Sequence, residues 1–167
     1  IVTLNPALSI RELKESIELN PNNAEAYVYL AYAQMELGSF KDAEQNLTKA
    51  KGLDPLSGIM WGAWLKYYRY KRDPKKIDEI MRHLPIQART GWEKEFHFWY
   101  YFLKEDNKDS LLFYGRQIRD PGWRGISFAV SGKTAEAKQI ADSLQTASPY
   151  DNAFNIAIIS AWLGDKE

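Results

Sequence analysis

The side chains best suited to chemistry are few and scattered along this chain of 167 residues. His83 and His97 are its two histidines, and each stands alone inside a helical pattern. A single histidine without partner ligands is typical of an ordinary surface or core position. Glu93 and Glu95 are two residues apart, so they do not share a helix face.

Other kinds of catalytic and metal site find equally little support in the sequence. The chain has no cysteine, which excludes disulfides, thiolate zinc sites and cysteine nucleophiles. It also has no glycine-rich phosphate loop and no nucleophile elbow. We therefore predict that the protein is not an enzyme and that it uses neither a metal nor a cofactor.

Residues 66–72 mix bases with aromatics, and Lys75 and Lys76 follow them. This mixture is found on surfaces that stack and neutralise single-stranded nucleic acid. It is also typical of a solvated helix end, where basic residues favour the helix dipole. The chain carries 22 basic and 22 acidic residues, so its formal net charge is zero. This balance disfavours nucleic acid as the partner, because such binding draws on a basic surplus.

The elements that carry these residues follow an internal repeat. Two similar phrases end in prolines that lie 34 residues apart. The unit between them has a large aromatic, a leucine followed by a small residue, a glycine turn, two alanines and a closing proline: Tyr27, Leu30, Ala31, Gly38, Ala43, Ala50 and Pro55. This pattern resembles the tetratricopeptide repeat, and residues 24–57 match it best.

Each feature of this unit has a physical reason. Apolar residues recur at helical spacing over residues 24–37, which predicts a first helix. Gly38 is placed to end it, since glycine accepts the left-handed conformation that a helix end often needs. Ser39 is placed to cap a second helix, and Pro55 to end that helix.

Weaker versions of the unit fill the rest of the chain. They are residues 7–20 as the second helix of a preceding repeat, 57–84, 92–118 and 122–146 as further units, and 152–163 as the first helix of another. We predict an all-α fold, an α-solenoid of stacked antiparallel helix pairs with about five repeats, forming a single domain over residues 1–167. Because the array starts and stops in mid-repeat, we expect it to be part of a longer protein.

The resemblance implies a concave groove lined by the first helix of each pair. By similarity to the family, its positions are Glu25, Val28, Tyr29, Tyr32, Glu36, Lys66, Arg69 and Tyr70. Such grooves bind a peptide or a neighbouring domain. Val28 and Tyr32 stand where some family members use polar groups to clamp a terminal carboxylate, so we do not expect that clamp. A looser preference for acidic peptides through Lys66 and Arg69 stays open.

Large aromatics at helical spacing usually serve the core. We expect this role for Trp61, Trp64, Trp92 and Trp99. For Tyr32 and Tyr70, groove exposure and core packing both stay open. No apolar run reaches the ~18 residues of a membrane span, so we expect no membrane insertion.

A second hypothesis comes from the closing segment. Residues 155–167 resemble the last repeats of bacterial signalling proteins, in which such arrays follow a DNA-binding or cyclase domain. That resemblance implies a regulatory or sensor region, for example in a transcription regulator. Self-association stays open on this hypothesis, and the sequence does not determine the compartment.

Overall fold

The computed structural model describes residues 6–89, 93–104 and 107–164. Helices are the only regular secondary structure in this part of the chain, which has no strand and so confirms the predicted all-α fold of a helical repeat protein. Its α-helices are α1 (Pro6–Leu19), α2 (Ala24–Glu36), α3 (Phe40–Leu53), α4 (Gly58–Tyr70), α5 (Pro74–His83), α6 (Glu93–Lys104), α7 (Lys108–Gly115), α8 (Pro121–Val130), α9 (Thr134–Ala147) and α10 (Pro149–Leu163). A short 3-10 helix, Ile86–Ala88, follows α5.

The chain divides into two compact units, residues 1–92 (unit 1) and residues 93–167 (unit 2). None of the described helices is long and apolar enough to span a membrane.

Within unit 1, each helix packs on its neighbour, and α2 also packs on α4. The α2 helix packs against α1, α3 and α4, and α4 packs in turn against α3 and α5. In a stack of helix pairs, the first helix of each pair packs on the first helix of the next pair. A helix therefore contacts the helix two places further along the chain.

The turns after α2 and α4 share one geometry. After α2, Gly38 takes the predicted left-handed conformation, with φ 76°, and the N–H of Ser39 donates to the Gln34 carbonyl at 2.8 Å. After α4, Arg72 occupies the left-handed position with φ 53°, and the N–H of Asp73 donates to the Tyr68 carbonyl at 3.0 Å. The bond that closes the helix therefore forms even where the glycine is replaced.

The cap predicted for α3 is only half right. Ser39 does stand at the N-cap position, but its side chain makes no capping hydrogen bond. Side-chain caps form instead at α2, where Asn23 accepts from the Ala26 N–H at 3.2 Å, and at α4, where Ser57 accepts from the Met60 N–H at 3.3 Å. Capping needs the residue before the helix in an extended conformation. Ser39 departs from that conformation, with φ −80° and ψ 59°.

The core of unit 1 is built around small residues. Ala31, Ala43, Ala50 and Ala63 are fully buried, and Leu47 packs among them. An alanine at a contact brings two helix backbones close together, as the repeat pattern predicted.

Unit 2 repeats the packing of a helix on its second successor. The α8 helix packs against α7, α9 and α10, and α6 packs against α7. The turn after α8 has the same geometry as the turn after α2: Gly132 has φ 76°, and the N–H of Lys133 donates to the Phe128 carbonyl at 2.8 Å.

The centre of unit 2 lies on one ring of α6. Phe96, Trp99 and Leu103 of this helix are half-buried. The fully buried residue is Phe98, which contacts the rings of Trp99, Phe102 and Trp123. The α6 helix is aromatic on several faces, so its pattern alone does not show which ring points inward.

Candidate functional site

Helices α1, α2 and α4 enclose a groove of about 570 Å³ on unit 1. We call it the α1–α2 groove, and its lining residues are Ser9, Glu12, Leu13, Tyr29, Tyr32, Ala33, Glu36 and Lys66. Two helices supply its walls and Lys66 reaches in from α4. The groove is therefore a product of helix stacking.

Aromatic rings form one wall of the groove. Tyr29 and Tyr32 lie one turn apart on α2 with ring centroids 6.3 Å apart. Tyr29 is 47% exposed, whereas Tyr32 is half-buried and packs on the core of unit 1. Burial raises the pKa of the Tyr32 hydroxyl above its ordinary value, and neighbouring Tyr29 adds to the rise. Tyr29 is thus the ring that an incoming partner meets first.

A charged cluster closes the other end. The Nζ of Lys66 lies 2.8 Å from Oε1 of Glu36, and the Tyr70 hydroxyl donates to the same oxygen at 2.9 Å. The same ammonium group lies 4.9 Å from the centroid of the Tyr32 ring, within cation–π range. Two side chains of α4 therefore bind the same carboxylate oxygen of Glu36 on α2.

The electrostatics of this cluster favour the ionised carboxylate. The hydrogen bond from Lys66 lowers the pKa of Glu36 below its ordinary value, partial burial opposes the shift, and the bond from Tyr70 supports it. Burial raises the pKa of Tyr70, and its bond to Glu36 acts in the same direction. The cluster can bind and orient a ligand through these charges and hydrogen bonds.

The structure brings together half of the groove positions inferred from the sequence. Tyr29, Tyr32, Glu36 and Lys66 all line the α1–α2 groove.

Three further groove positions lie outside that lining. Tyr70 is attached to the groove through its bond to Glu36, and the Arg69 guanidinium lies 5.3 Å from the centroid of the Tyr70 ring. Glu25 is exposed one turn before Tyr29.

Val28 is a correction. Its side chain is 1% exposed and packs in the core with Ala31 and Met35, so it does not face a ligand. Its neighbour Tyr29 is the exposed residue at that point of α2. An apolar residue beside tyrosines fits either face of this helix, because the helix is apolar on most sides and its pattern does not separate inside from outside.

Sequence reasoning missed the α1 side of the groove. Ser9, Glu12 and Leu13 line it, yet α1 was interpreted as a second helix, which the family places away from the concave face. The available signal was the apolar stripe of α1, to which Leu13 belongs. This residue is only half-buried, so part of the stripe remains open to solvent.

The tryptophans follow the core prediction where the structure describes them. Trp64 is 9% exposed and belongs to the core of unit 1, and Trp61 packs on that core. Trp99 packs on the core of unit 2. Trp92 lies outside the described residues. Tyr32 and Tyr70, left open by the sequence, each divide their surface between packing and the groove cluster.

The bases and aromatics of residues 66–72 do not share one surface. Tyr67 is buried and its hydroxyl donates to Glu44 at 3.1 Å, and the Lys71 ammonium lies 5.8 Å from the centroid of the Phe40 ring. Lys66 is held by Glu36. These side chains are thus distributed among contacts within unit 1.

Histidine and carboxylate side chains do not gather into a metal-binding group anywhere in the described residues.

Comparison with known proteins identifies one segment. A family model described as the tetratricopeptide repeat matches residues 12–45, which span the second half of α1, all of α2 and the start of α3. No curated protein and no solved structure matches the chain. The matched segment contains most of the residues that line the α1–α2 groove, all except Ser9 and Lys66.

Proposed function

We propose that this protein, which contains a tetratricopeptide repeat, is a protein-interaction module whose α1–α2 groove holds a segment of a partner protein. The repeat supports protein–protein interaction as the general role. One observation supports this groove as the binding site: the half-exposed ring of Tyr29 borders a cavity that also contains an apolar wall and an ion pair.

The apolar part of the groove supplies the anchor. Tyr29 and Tyr32 face Leu13 across a space large enough for one bulky side chain and the backbone that carries it. Tyrosine is enriched among the residues that dominate binding energy, because its rigid ring buries a large area with little loss of conformational entropy. We therefore propose that the partner inserts an apolar side chain between α1 and α2.

The charged end of the groove determines whether an acidic or an apolar partner segment binds there. Lys66 is already paired with Glu36, so a carboxylate from the partner has to compete with an internal one. Glu12 adds a further acidic group to the lining. This arrangement weakens the acidic preference suggested by Lys66 and Arg69, and we propose a partner segment that is mainly apolar at its point of insertion.

The test removes the Tyr29 ring. Tyr29→Ala deletes an exposed side chain that has no place in the core, so the fold should survive and the helical circular-dichroism signal should not change. Partners are first captured through a photo-crosslinking residue placed at Glu25, and the segment that crosslinks is then synthesised. We expect its affinity, measured by calorimetry, to fall at least about tenfold in the variant.

Ile86→Ala is the matched control. Ile86 is 79% exposed in the 3-10 helix of unit 1 and lies outside the groove, so its loss removes a similar apolar surface elsewhere. A segment that binds wild type and both variants with one affinity would show that the groove is not the binding site.

The regulatory role in a larger signalling protein stays a prediction from the closing segment. So does a single continuous array over residues 1–167, and so does the exclusion of nucleic acid.

A further inference from the structure

A second cavity on unit 1, of about 320 Å³, lies among α3, α4 and α5. We call it the α3–α5 cavity. Its walls combine the rings of Trp61, Trp64 and Tyr68 with two lysines, Lys51 and Lys76. None of these residues lines the α1–α2 groove, so a ligand of this cavity is independent of the partner segment proposed for the groove.

The cations are held against aromatic rings and a carboxylate. The Nζ of Lys51 lies 4.7 Å from the centroid of the Trp61 ring, and the Trp61 indole N–H donates to the Pro55 carbonyl at 2.9 Å, which fixes that ring. The Nζ of Lys76 lies 2.8 Å from Oε2 of Glu79. Both ammonium groups are therefore positioned by partners on unit 1.

The charges leave a positive surplus. Glu79 is the one carboxylate among the described residues of the lining, which also contains two lysines, and it pairs with Lys76. His83 also belongs to the lining, and its Nδ1 lies 2.8 Å from the Glu79 carbonyl. Because histidine contributes no negative charge, the cavity carries a net charge of at least +1.

The same cavity includes a residue with an unsatisfied donor. Trp64 is nine-tenths buried, and its indole N–H has no hydrogen-bond partner among the described residues. A buried N–H without an acceptor is costly, and buried polar groups are nearly always paired. The Nε1 atom has almost no solvent-accessible surface, so a ligand that enters the cavity packs against Trp64 without reaching this N–H.

We propose that the α3–α5 cavity binds a carboxylate attached to an aromatic or branched apolar body. The carboxylate pairs with Lys51 and Lys76, and the body packs on Trp64 and Tyr68. The volume is at the small end for ligand sites, so it takes one such group and not a long segment. A free aromatic acid and the C-terminal residue of a peptide share this chemistry.

The experiment uses the full chain labelled with ¹⁵N and follows the Trp61 and Trp64 indole N–H signals by NMR, each assigned with a Trp→Phe variant. The probes are N-acetylphenylalanine, its amide, and an acetylated pentapeptide of four alanines and a final phenylalanine with a free carboxylate. We expect the free acids to move both indole signals and the amide to bind at least about tenfold more weakly, because it lacks the charge. If the peptide binds more tightly, the ligand is the C-terminal residue of a peptide. If the single residue binds more tightly, the ligand is a free aromatic acid.

Paired variants test the cations. Lys51→Gln with Lys76→Gln should weaken binding at least about tenfold, whereas Lys49→Gln with Lys75→Gln removes two exposed lysines from the same helices outside the lining and should leave it unchanged. Glu79→Gln releases Lys76 from its internal partner and should tighten binding. Equal affinity for acid and amide, or equal loss in both lysine pairs, would overturn the proposal, as would indole signals that do not move.

Discussion

The two units differ in the small residues at their helix contacts. In unit 1 these contacts are made by alanines, of which Ala31 and Ala43 are fully buried. Unit 2 also buries alanines, such as Ala137, and adds the buried glycines Gly115, Gly122 and Gly125 within its helices. The family model matches only within unit 1.

The buried glycines of unit 2 are explained by the side chains that pack against them. A side chain added at Gly125 would lie 2.6 Å from Cδ1 of Ile159 and 2.9 Å from Cγ2 of Ile140, and one added at Gly122 would overlap Asn155. Unit 2 places these larger side chains of α9 and α10 where α8 must pass, so only a residue without a Cβ fits. The helix contact is thus maintained while its composition changes, and the repeat becomes harder to detect in the sequence.

The strongest destabilisation should come from enlarging a contact in unit 1. Ala31→Leu adds three carbons at a fully buried position between α2 and its neighbours. Overpacking of this kind costs about 1–3 kcal/mol, and we expect the upper end because Ala31 belongs to a core cluster in which Leu47 and Met60 are also fully buried. Urea denaturation measures it. Ala135→Leu, at an exposed position of α9, is the control and should stay within about 0.5 kcal/mol of wild type.

A smaller effect is expected from the glycine contact of unit 2. Gly125→Ala should lower the free energy of unfolding by about 1–2 kcal/mol, since the overlap with Ile159 outweighs the gain in helix propensity. Gly52→Ala is the matched change in α3, where nothing lies within 4 Å of the new Cβ. It should raise stability by up to about 1 kcal/mol. If the melting temperatures of both variants shift in the same direction from wild type, the close contact at Gly125 is refuted.

The weakest effect at neutral pH concerns the hydrogen bond between Tyr67 and Glu44. Burial, with help from this bond, raises the pKa of Tyr67 from 10.0 to about 12. The folded state therefore keeps a proton that the unfolded chain loses, and stability should fall as the pH rises from about 10 to about 12. Tyr67→Phe should cost about 1 kcal/mol at neutral pH and should remove this part of the alkaline decline.

The check on Tyr67 is a series of urea denaturation curves across that pH range. Tyr150→Phe changes a tyrosine that is 92% exposed and serves as the control, which should keep the wild-type decline. If the alkaline loss of stability persists in Tyr67→Phe, it comes from the titration of other groups.

How far the candidate site was predictable differs from residue to residue. Tyr29, Tyr32, Glu36 and Lys66 were assigned to one groove from the spacing of the repeat, and all four line the α1–α2 groove. Val28 was misplaced, since α2 is apolar on most of its faces. Leu13 was missed because its part in the groove depends on α1 packing beside α2, and no local pattern records that contact.

The α3–α5 cavity lay outside sequence reasoning altogether. Lys51 and Lys76 are far apart in the chain, and Trp61 and Trp64 were assigned to the core. The assignment of Trp61 and Trp64 to the core agrees with their packing. The cavity itself forms only where three helices leave a space between them.

Local sequence was enough to specify the helices, the turns between them and the repeat that spaces them. These depend on forces that act within a few residues: the period of apolar side chains, the hydrogen bonds of one helical turn and the freedom of Gly38 and Gly132 to take positive φ. Packing in three dimensions was needed to settle which faces of α2 and α4 point inward, which rings border a groove and which lysines meet across a cavity. Those outcomes depend on the joint fit of side chains from helices far apart in the chain, because burial is set by the whole packed core and not by any one segment.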